Sequence, residues 1–495
     1  MSVLPMPDPG PSPGPGCISD NRRGGAEFQP PIPGQTLPVT KTGHRQPARS
    51  RSNPPARATA RPPVRQEEPP TRGPVEITVD RVGARGDGVA EWREHRLFVP
   101  QALAGDRLMV RFGARRADGW EAVPVSLIAE APGRADPACR HFGTCGGCAL
   151  QHMADDTYAD WSRQVVETAL ARAGLTTGVE IRPLLRTPPG GRRRAVLTAA
   201  KRGSRQWLGF NERASHRLVD VAECPVLAPA LADLIEPLRR LLSGWLADGQ
   251  GLDVALTLLE DGVDLVLEGG PEPDLRALEA LAGFAADHDL ARLTRRAKPG
   301  VPVTPVSIRR DGIITFGRVP VRPAPGAFLQ ASREGEAALV AAAREAVAGA
   351  ERVADLFAGS GTLTFPLAER SRVHAVEGDA AALGSLEGGA RVAGLLNTRV
   401  TLERRDLFQD PLTVPELDRF QAIVFDPPRA GAQAQAAEIA RSAVPVVCAV
   451  SCNPATFARD ARALADGGYR LVWVQPVDQF LWSPHLELAA LFRRG

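Results

Sequence analysis

The sequence predicts an α/β protein: a doubly wound parallel sheet in the C-terminal part, preceded by a small β-barrel and a central α+β region. Three observations predict this. From about residue 335 onward, helical runs alternate with short apolar strand-like runs, the pattern of a sheet covered by helices on both faces. Between residues 75 and 128, short alternating segments are separated by Gly and Asp turns, the pattern of a small barrel. The 495 residues suffice for about three domains with sizeable cores.

Residues 1–73 hold 17 of the 45 prolines and carry 10 basic against 5 acidic side chains. No helical or strand period runs through them. Such a composition buries too little apolar surface to offset its ordering entropy, so a disordered tail is expected. Its weak positive charge suits at most a loose tether to a polyanion. The remaining chain is near neutral, with 50 basic against 52 acidic residues.

Order is expected from Val75. The segments VEITVDRV, RGDGVAEW, RLFVP, DRLMVRFGARR and WEAVPVSLI read as a five-stranded, OB-like barrel over residues 74–132. Residues 133–325 read as α+β. They open on a cysteine cluster and a helical stretch, DTYADWSRQVVETALARAGL. Strands follow in GRRRAVLTAAKR, RQWLGFNE and HRLVDV, then a helix in LAPALADLIEPLRRLLSGWLADG, then a hairpin about Asp261-Gly262. Residues 326–495 form the doubly wound part, and there is no internal repeat.

No apolar run reaches the ~18 residues of a membrane span, and no membrane contact is expected. The start, MSVLPMPDPG, has no charged region ahead of an apolar one, which argues against a secretory signal. Seven cysteines in so long a chain make no disulfide scaffold. A cytoplasmic protein, monomeric by default, is expected. Its cysteines are then ligands, nucleophiles or core, with Cys17 free in the tail.

The first site is a glycine turn. Val353–Phe357 reads as a buried strand, Ala358-Gly359-Ser360-Gly361-Thr362 as a turn, and a helix opens at about Leu363. This is a Rossmann-like cradle: glycines let the backbone approach a ligand, and the helix end offers free N–H groups. Glu377 ends the next strand, where a carboxylate can accept hydrogen bonds from two ribose hydroxyls. The turn lacks the helix-side Gly of a dinucleotide fingerprint and the Lys of a Walker loop. A smaller nucleoside cofactor, S-adenosylmethionine, fits it.

Phe425-Asp426-Pro427-Pro428-Arg429 ends another strand, and Val450-Ser451-Cys452-Asn453-Pro454 the one after it. Ligands sit at the carboxyl ends of such strands, so Cys452 reads as a nucleophile on the cofactor's edge and Cys448 as core. A free thiol ionises near about 8.5; nearby N–H groups and a helix starting near Thr456 are expected to lower that. Ser483-Pro484-His485-Leu486-Glu487 precedes the final strand, and spacing alone leaves Glu487 a surface carboxylate. Cys139, Cys145 and Cys148 lie in a Gly-rich loop, with Cys224 far downstream. Four such thiols suit zinc or a 4Fe–4S cluster. Arg192–Arg194, Lys201, Arg202 and Arg205 beside Trp207 and Phe210 read either as an RNA-binding face or as a solvated one. With 57 Arg and three Lys, arginine richness by itself proves nothing.

The barrel together with CRHFGTCGGC, FLQAS, DLFAGSGT, AVEGD, FDPPRAGA, SCNPATFARD and SPHLE resembles the RNA uracil-5-methyltransferase family, in the branch with an N-terminal TRAM barrel and an iron–sulfur cluster. The resemblance spans residue 75 to the end. It implies that Cys452 attacks C6 of a uracil flipped out of its stack. It further implies that C5 takes the methyl group from S-adenosylmethionine and that Glu487 removes the C5 proton. Gln330, Phe357, Thr362, Glu377, Asp406 and Asp426 match its cofactor-pocket positions, with Asp426 also reaching the base. Members vary at the positions of Thr362 and Asp406. Cys139, Cys145, Cys148 and Cys224 match its 4Fe–4S ligands, in a structural or RNA-positioning role. Ribosomal RNA, 23S in particular, is implied over transfer RNA. Three rivals stand beside this reading. An amino-group methyltransferase shares Asp-Pro-Pro but normally has an aromatic residue where Arg429 stands. A cytosine-5-methyltransferase often has Cys directly after Pro-Pro. The third is an inactive iron–sulfur RNA-binding protein.

Overall fold

The computed structural model describes residues 68–298 and 300–495. The predicted tail lies outside the described residues, Cys17 included, except for residues 68–73, which contain no helix or strand.

The first sheet has six strands: β1 (Val75–Thr78), β2 (Arg81–Val82), β3 (Gly88–Trp92), β4 (His95–Val99), β5 (Arg107–Arg116) and β6 (Gly119–Ala129), in the order β1-β5-β6-β4-β3-β2. The sequence predicts five. The sixth arises because VEITVDRV is interrupted at Val79, whose N–H donates to the Asp106 carbonyl at 2.9 Å and whose carbonyl accepts from Gly105 N–H at 2.8 Å. Asp80 N–H then donates to the Val89 carbonyl at 2.9 Å, curling the sheet so that the end of its first strand meets its third. Ile77, Leu97, Val99, Val110 and Trp120 fill the concave side.

The predicted helix follows as α1 (Asp155–Arg172), burying Trp161, Val165, Val166 and Leu170. Two short strands come next, β7 (Glu180–Ile181) and β8 (Leu185–Arg186). The central sheet holds β9 (Arg194–Arg202), β10 (Arg205–Asn211), β11 (Leu218–Asp220), β12 (Gly251–Leu258), β13 (Val263–Gly269), β14 (Arg292–Arg296) and β15 (Thr304–Ile308), in the order β11-β10-β9-β12-β13-β14-β15. The predicted hairpin is present, with Leu258 paired to Val263. The long predicted helix is two: α2 (Pro229–Ala232) and α3 (Ile235–Trp245). Pro237 has no N–H to donate to the Asp233 carbonyl and is tolerated only in a first turn, so the helix restarts there. With α4 (Leu275–Asp287), whose Asp274 cap accepts from Ala277 N–H, these helices supply Leu238, Leu242, Leu281 and Phe284 to the core of this region.

A small hairpin, β16 (Ile314–Phe316) and β17 (Val319–Val321), leads into the C-terminal region. There α5 (Arg333–Ala346), β18 (Arg352–Leu356), α6 (Thr364–Ala368), β19 (Arg372–Glu377), α7 (Ala380–Val392) and β20 (Val400–Arg404) alternate. They are followed by α8 (Val414–Leu417), β21 (Ala422–Phe425), α9 (Gln433–Arg441), β22 (Val446–Ser451), α10 (Pro454–Asp466), β23 (Tyr469–Asp478) and β24 (Glu487–Arg494). The sheet runs β20-β19-β18-β21-β22-β24-β23-β7, with β8 also on β23. Side-chain alternation splits its core in two. Val353, Ala375 and Val424 pack with α5, α6 and α7; Leu356, Val376 and Phe425 pack with α1, α9 and α10. The sheet is therefore doubly wound, as predicted, but not wholly parallel. β24 pairs antiparallel to both β22 and β23, because residues 479–486 are too few for the crossover of a dozen or more residues that a parallel neighbour needs. Among the described residues no helix is long and apolar enough to cross a membrane.

Candidate active site

Strand direction decides what meets at the rim of this sheet. Leu356 of β18 pairs with Phe425 of β21, and Phe425 with Ala449 of β22. Phe357, Asp426 and Cys452 thus leave the sheet on one edge. β24 runs the other way and pairs Leu488 with Ser451, so its first residue, Glu487, falls opposite Cys452. A carboxylate at the amino end of a strand reaches the same rim as residues at carboxyl ends.

The glycine turn has the predicted form. Phe357 (φ 62°) and Gly359 (φ 57°) take left-handed conformations; for Phe this is uncommon and stores strain of the kind found at functional turns. Gly359 N–H donates to Glu377 Oε2 at 2.8 Å, and Asp379 N–H to Glu377 Oε1 at 2.7 Å. Glu377 is thereby pinned at the end of β19, with lone pairs left for two hydroxyls. No atom lies within 4 Å of where a Gly359 Cβ would sit, and Ser360 Oγ is buried without a partner. Thr362 is half-buried in the turn just ahead of α6. The Phe357 ring packs on Phe408 at 5.4 Å, and exposed Asp406 accepts from Phe408 N–H at 3.0 Å. An open backbone floor, an anchored carboxylate and an aromatic pair fit a nucleoside cofactor. Beneath the turn, buried Asp355 accepts from Thr364 Oγ1 at 2.5 Å; burial, then the charges of Asp426 and Glu377, push its carboxyl up to about 7.

Behind Cys452 two further carboxyls are linked by amides. Gln330 Nε2 donates to Asp426 Oδ2 at 3.0 Å; Gln479 Nε2 donates to Gln330 Oε1 at 2.7 Å and to Glu487 Oε2 at 2.6 Å. Burial pushes Asp426 up to about 7. Burial, then the Asp426 charge, push Glu487 up to about 8, opposed by the Gln479 hydrogen bond and the Arg429 cation. The expectation for Cys452 is reversed. Burial first, then Glu487 and Asp426, raise its thiol to about 11, against which Arg429 acts weakly. The helix expected near Thr456 is present as α10, yet burial, followed by the two carboxyls, leaves the thiol raised. Cys448 is fully buried core, as expected.

Cys452, Arg429 and His485 open into a groove of about 1540 Å³ that extends to Arg85, Arg96 and Arg116 of the six-stranded sheet. Burial, then the cations of Arg429 and Arg192, push the His485 imidazole below its ordinary range. The Arg192–Arg194 run does not form an outward face. Arg193 is buried, donating to the Gln330 carbonyl at 2.9 Å and pairing with Glu336. Arg192 lies over Phe480 and Arg194 over Phe328, and Lys201 Nζ donates to the Ser243 carbonyl. Arg202 stays exposed, as does Arg205, which stacks on Trp207 at 4.1 Å.

The four predicted thiols share one neighbourhood. Cys148 is pushed up to about 12 by burial and by Cys224, Cys145 and Cys139. Gly146 lets the loop approach β10, its N–H donating to the Asn211 carbonyl at 2.9 Å where a Cβ would sit 2.7 Å from that oxygen. Among the described residues, however, no three His, Cys, Asp or Glu side chains are grouped to hold a metal ion. The donor chemistry suits a cluster; the closed ligand arrangement is not formed. The same loop holds the segment before β24, since Ala149 and Leu150 N–H both donate to the Trp482 carbonyl, at 2.8 and 3.0 Å.

The residues that sequence reasoning missed are Gln479, Phe408 and Asp355. Asp355 carried a signal, as the last acidic residue before the glycine turn; Gln479 and Phe408 lie in no motif that chemistry demands.

Residues 406–495 match the family model described as tRNA (uracil-5-)-methyltransferase. An uncharacterized RNA methyltransferase of Brucella melitensis is 44% identical over 422 residues, covering 85% of this chain and 98% of that protein. The 23S rRNA (uracil(1939)-C(5))-methyltransferase of Chromohalobacter salexigens is 34% identical over 441 residues, covering 84% and 89%. In fold, the chain resembles the Pyrococcus abyssi tRNA (uracil-54, C5)-methyltransferase solved with S-adenosyl-L-homocysteine, at TM-score 0.65 and 23% identity, covering 84% of this chain and 100% of that one.

Proposed function

This chain belongs to the RNA uracil-5-methyltransferase family, and from that premise we propose that it methylates uracil C5 in 23S rRNA through a covalent Cys452–C6 adduct. The observation that carries this is the convergence of Cys452, Asp426 and Glu487 on the rim beside the glycine turn. S-adenosylmethionine would supply the methyl group; Glu377 would hold its ribose hydroxyls, and Gln330, Phe357, Thr362, Asp406 and Asp426 would line its pocket. Cys452 as thiolate adds to C6, and the displaced π electrons pass to C5 and O4, making C5 nucleophilic. After C5 is methylated, Glu487 accepts the C5 proton, the C6–S bond breaks, and the thiolate leaves. The arginine-lined groove suits an RNA backbone approaching Cys452.

A second reading, transfer RNA as substrate, is favoured by the family model matching residues 406–495. Mass-spectrometric mapping of 5-methyluridine in both RNAs from a deletion strain separates the two. Loss is expected in 23S rRNA; loss in transfer RNA alone would overturn the first reading. Purified protein that transfers no labelled methyl group to either RNA would leave an RNA-binding protein.

The four thiols are proposed as a 4Fe–4S site with a structural role, supported by their donor chemistry and the Gly-rich loop that carries three of them; no methyl-transfer step runs through it. Anaerobically purified protein should contain iron and acid-labile sulfide, and protein free of both overturns the assignment.

Glu487 must be ionised to take a proton. Its carboxyl sits at about 8 and the Cys452 thiol at about 11. Activity should therefore rise with pH through and beyond about 8, as first Glu487 and then Cys452 ionises. A kcat/KM that is level between about pH 6 and 9 contradicts this.

A further inference from the structure

We propose that Gln479 is a positioning residue for the methylation: its amide aims the Glu487 carboxylate and holds it ready to accept a proton, while setting the orientation of Gln330 against Asp426. The proposal rests on the reading of Glu487 as the base.

The amide has one possible orientation. Gln479 is almost fully buried, and Ala331 N–H, which can only donate, points at its Oε1 at 2.9 Å. The two Nε2 hydrogens must then face Glu487 Oε2 at 2.6 Å and Gln330 Oε1 at 2.7 Å. A flipped amide would set oxygen against carboxylate and N–H against N–H. Because Gln330 Oε1 is an acceptor, its Nε2 is the donor to Asp426 at 3.0 Å. One backbone N–H thus fixes two amides and the direction of a chain joining both carboxyls. The stem is also held. Gly335 in the first turn of α5 has no Cβ, and one built there would lie 2.5 Å from Gln479 Cβ, so the helix is cut away where this side chain lies.

The groups facing Glu487 divide cleanly. Burial, Asp426 and an ionised Cys452 disfavour its charge; Gln479 and Arg429 favour it. Arg429 acts at a distance, whereas Gln479 donates the hydrogen bond. A donor that stabilises the ionised form lowers the carboxyl, and a fixed donor also holds the accepting oxygen in place. Without it, Glu487 is protonated over more of the working range and free to rotate.

The test is Gln479→Leu, with Gln479→Met as a second apolar variant of closer length, alongside Glu487→Gln in the full chain. For the apolar variants, kcat should fall about 10- to 100-fold, and the acid limb of the pH profile should move up by about one unit. With S-adenosylmethionine and RNA, a denaturation-resistant protein–RNA complex should accumulate, because addition proceeds while proton removal stalls. A variant that only loosened the fold would lower thermal stability and show neither the shifted limb nor the trapped complex. Wild-type kcat and pH profile in either folded variant overturn the proposal. If Glu487→Gln traps no complex and still turns over, the reading of Glu487 as base falls; if it traps one and the Gln479 variants do not, the role of Gln479 falls alone.

Discussion

A Cys452→Ala protein is expected to transfer no methyl group to RNA and to form no denaturation-resistant complex with it, with turnover lowered by at least about 10³-fold. The size follows from the chemistry. Uracil C5 is a poor nucleophile until addition at C6 makes it enolate-like, and no other described thiol lies on this rim: Cys448 is sealed in the core and the remaining four gather beside β10. The fold should tolerate the change, because Cys452 is half-exposed beyond the end of β22 and its removal empties little packed volume. S-adenosylmethionine binding should persist, since Glu377 and the glycine turn are untouched. Full activity in this variant would falsify the covalent mechanism.

Glu487→Gln should fail later in the cycle. Addition and methyl transfer proceed, the C5 proton stays, and the methylated adduct accumulates, with kcat lowered about 10²- to 10⁴-fold. The same change should stabilise the protein. The folded carboxyl sits at about 8, above the roughly 4.3 of an unfolded chain. Between those values the folded state holds a proton that the unfolded state has released, so wild-type stability falls as pH rises across the window. A neutral amide removes that dependence. The variant's Tm should equal the wild type's in acid and exceed it by several degrees above about pH 8. Calorimetry across pH decides this, and a variant less stable at alkaline pH would show that Glu487 is held by attractions stronger than its burial cost.

Much of this was legible in the residues because local periodicity carries it. The alternation of helix and strand after residue 335 gave the layers, and the turn at 358–362 with Glu377 at the next strand end was found as read. What escaped depends on contacts distant in sequence. The direction of β24 follows from the length of the link before it, and only that reversal explains why Glu487, unremarkable by spacing, shares an edge with Cys452. The sign of the Cys452 shift escaped because its causes, burial first and then Glu487 and Asp426, depend on segments that come together only in the fold. Gln479 lies in no motif at all; its importance is a matter of which donor faces which acceptor. The arginine run was left open between an RNA-binding and a solvated face; Arg193, just ahead of β9, turns inward to Glu336, while Arg202 and Arg205 stay exposed. The break at Val79 and the two-residue strands β7 and β8 are too short for any periodicity to announce.

The position of β24 also bears on how the enzyme is assembled. It threads between β22 and β23, so β23, β7 and β8 are fastened to the rest of the sheet only through a strand synthesised after all of them. The pairings of β7 and β8 with β23 join Glu180 to Trp473 and Leu185 to Val477, and pairings that span such long stretches of chain form late. In chain order the glycine turn and Cys452 precede Glu487, which arrives with the last strand. On the proposed mechanism, competence for turnover is tied to completion of the sheet, and a chain stalled short of that step would hold a nucleophile with nothing to release it.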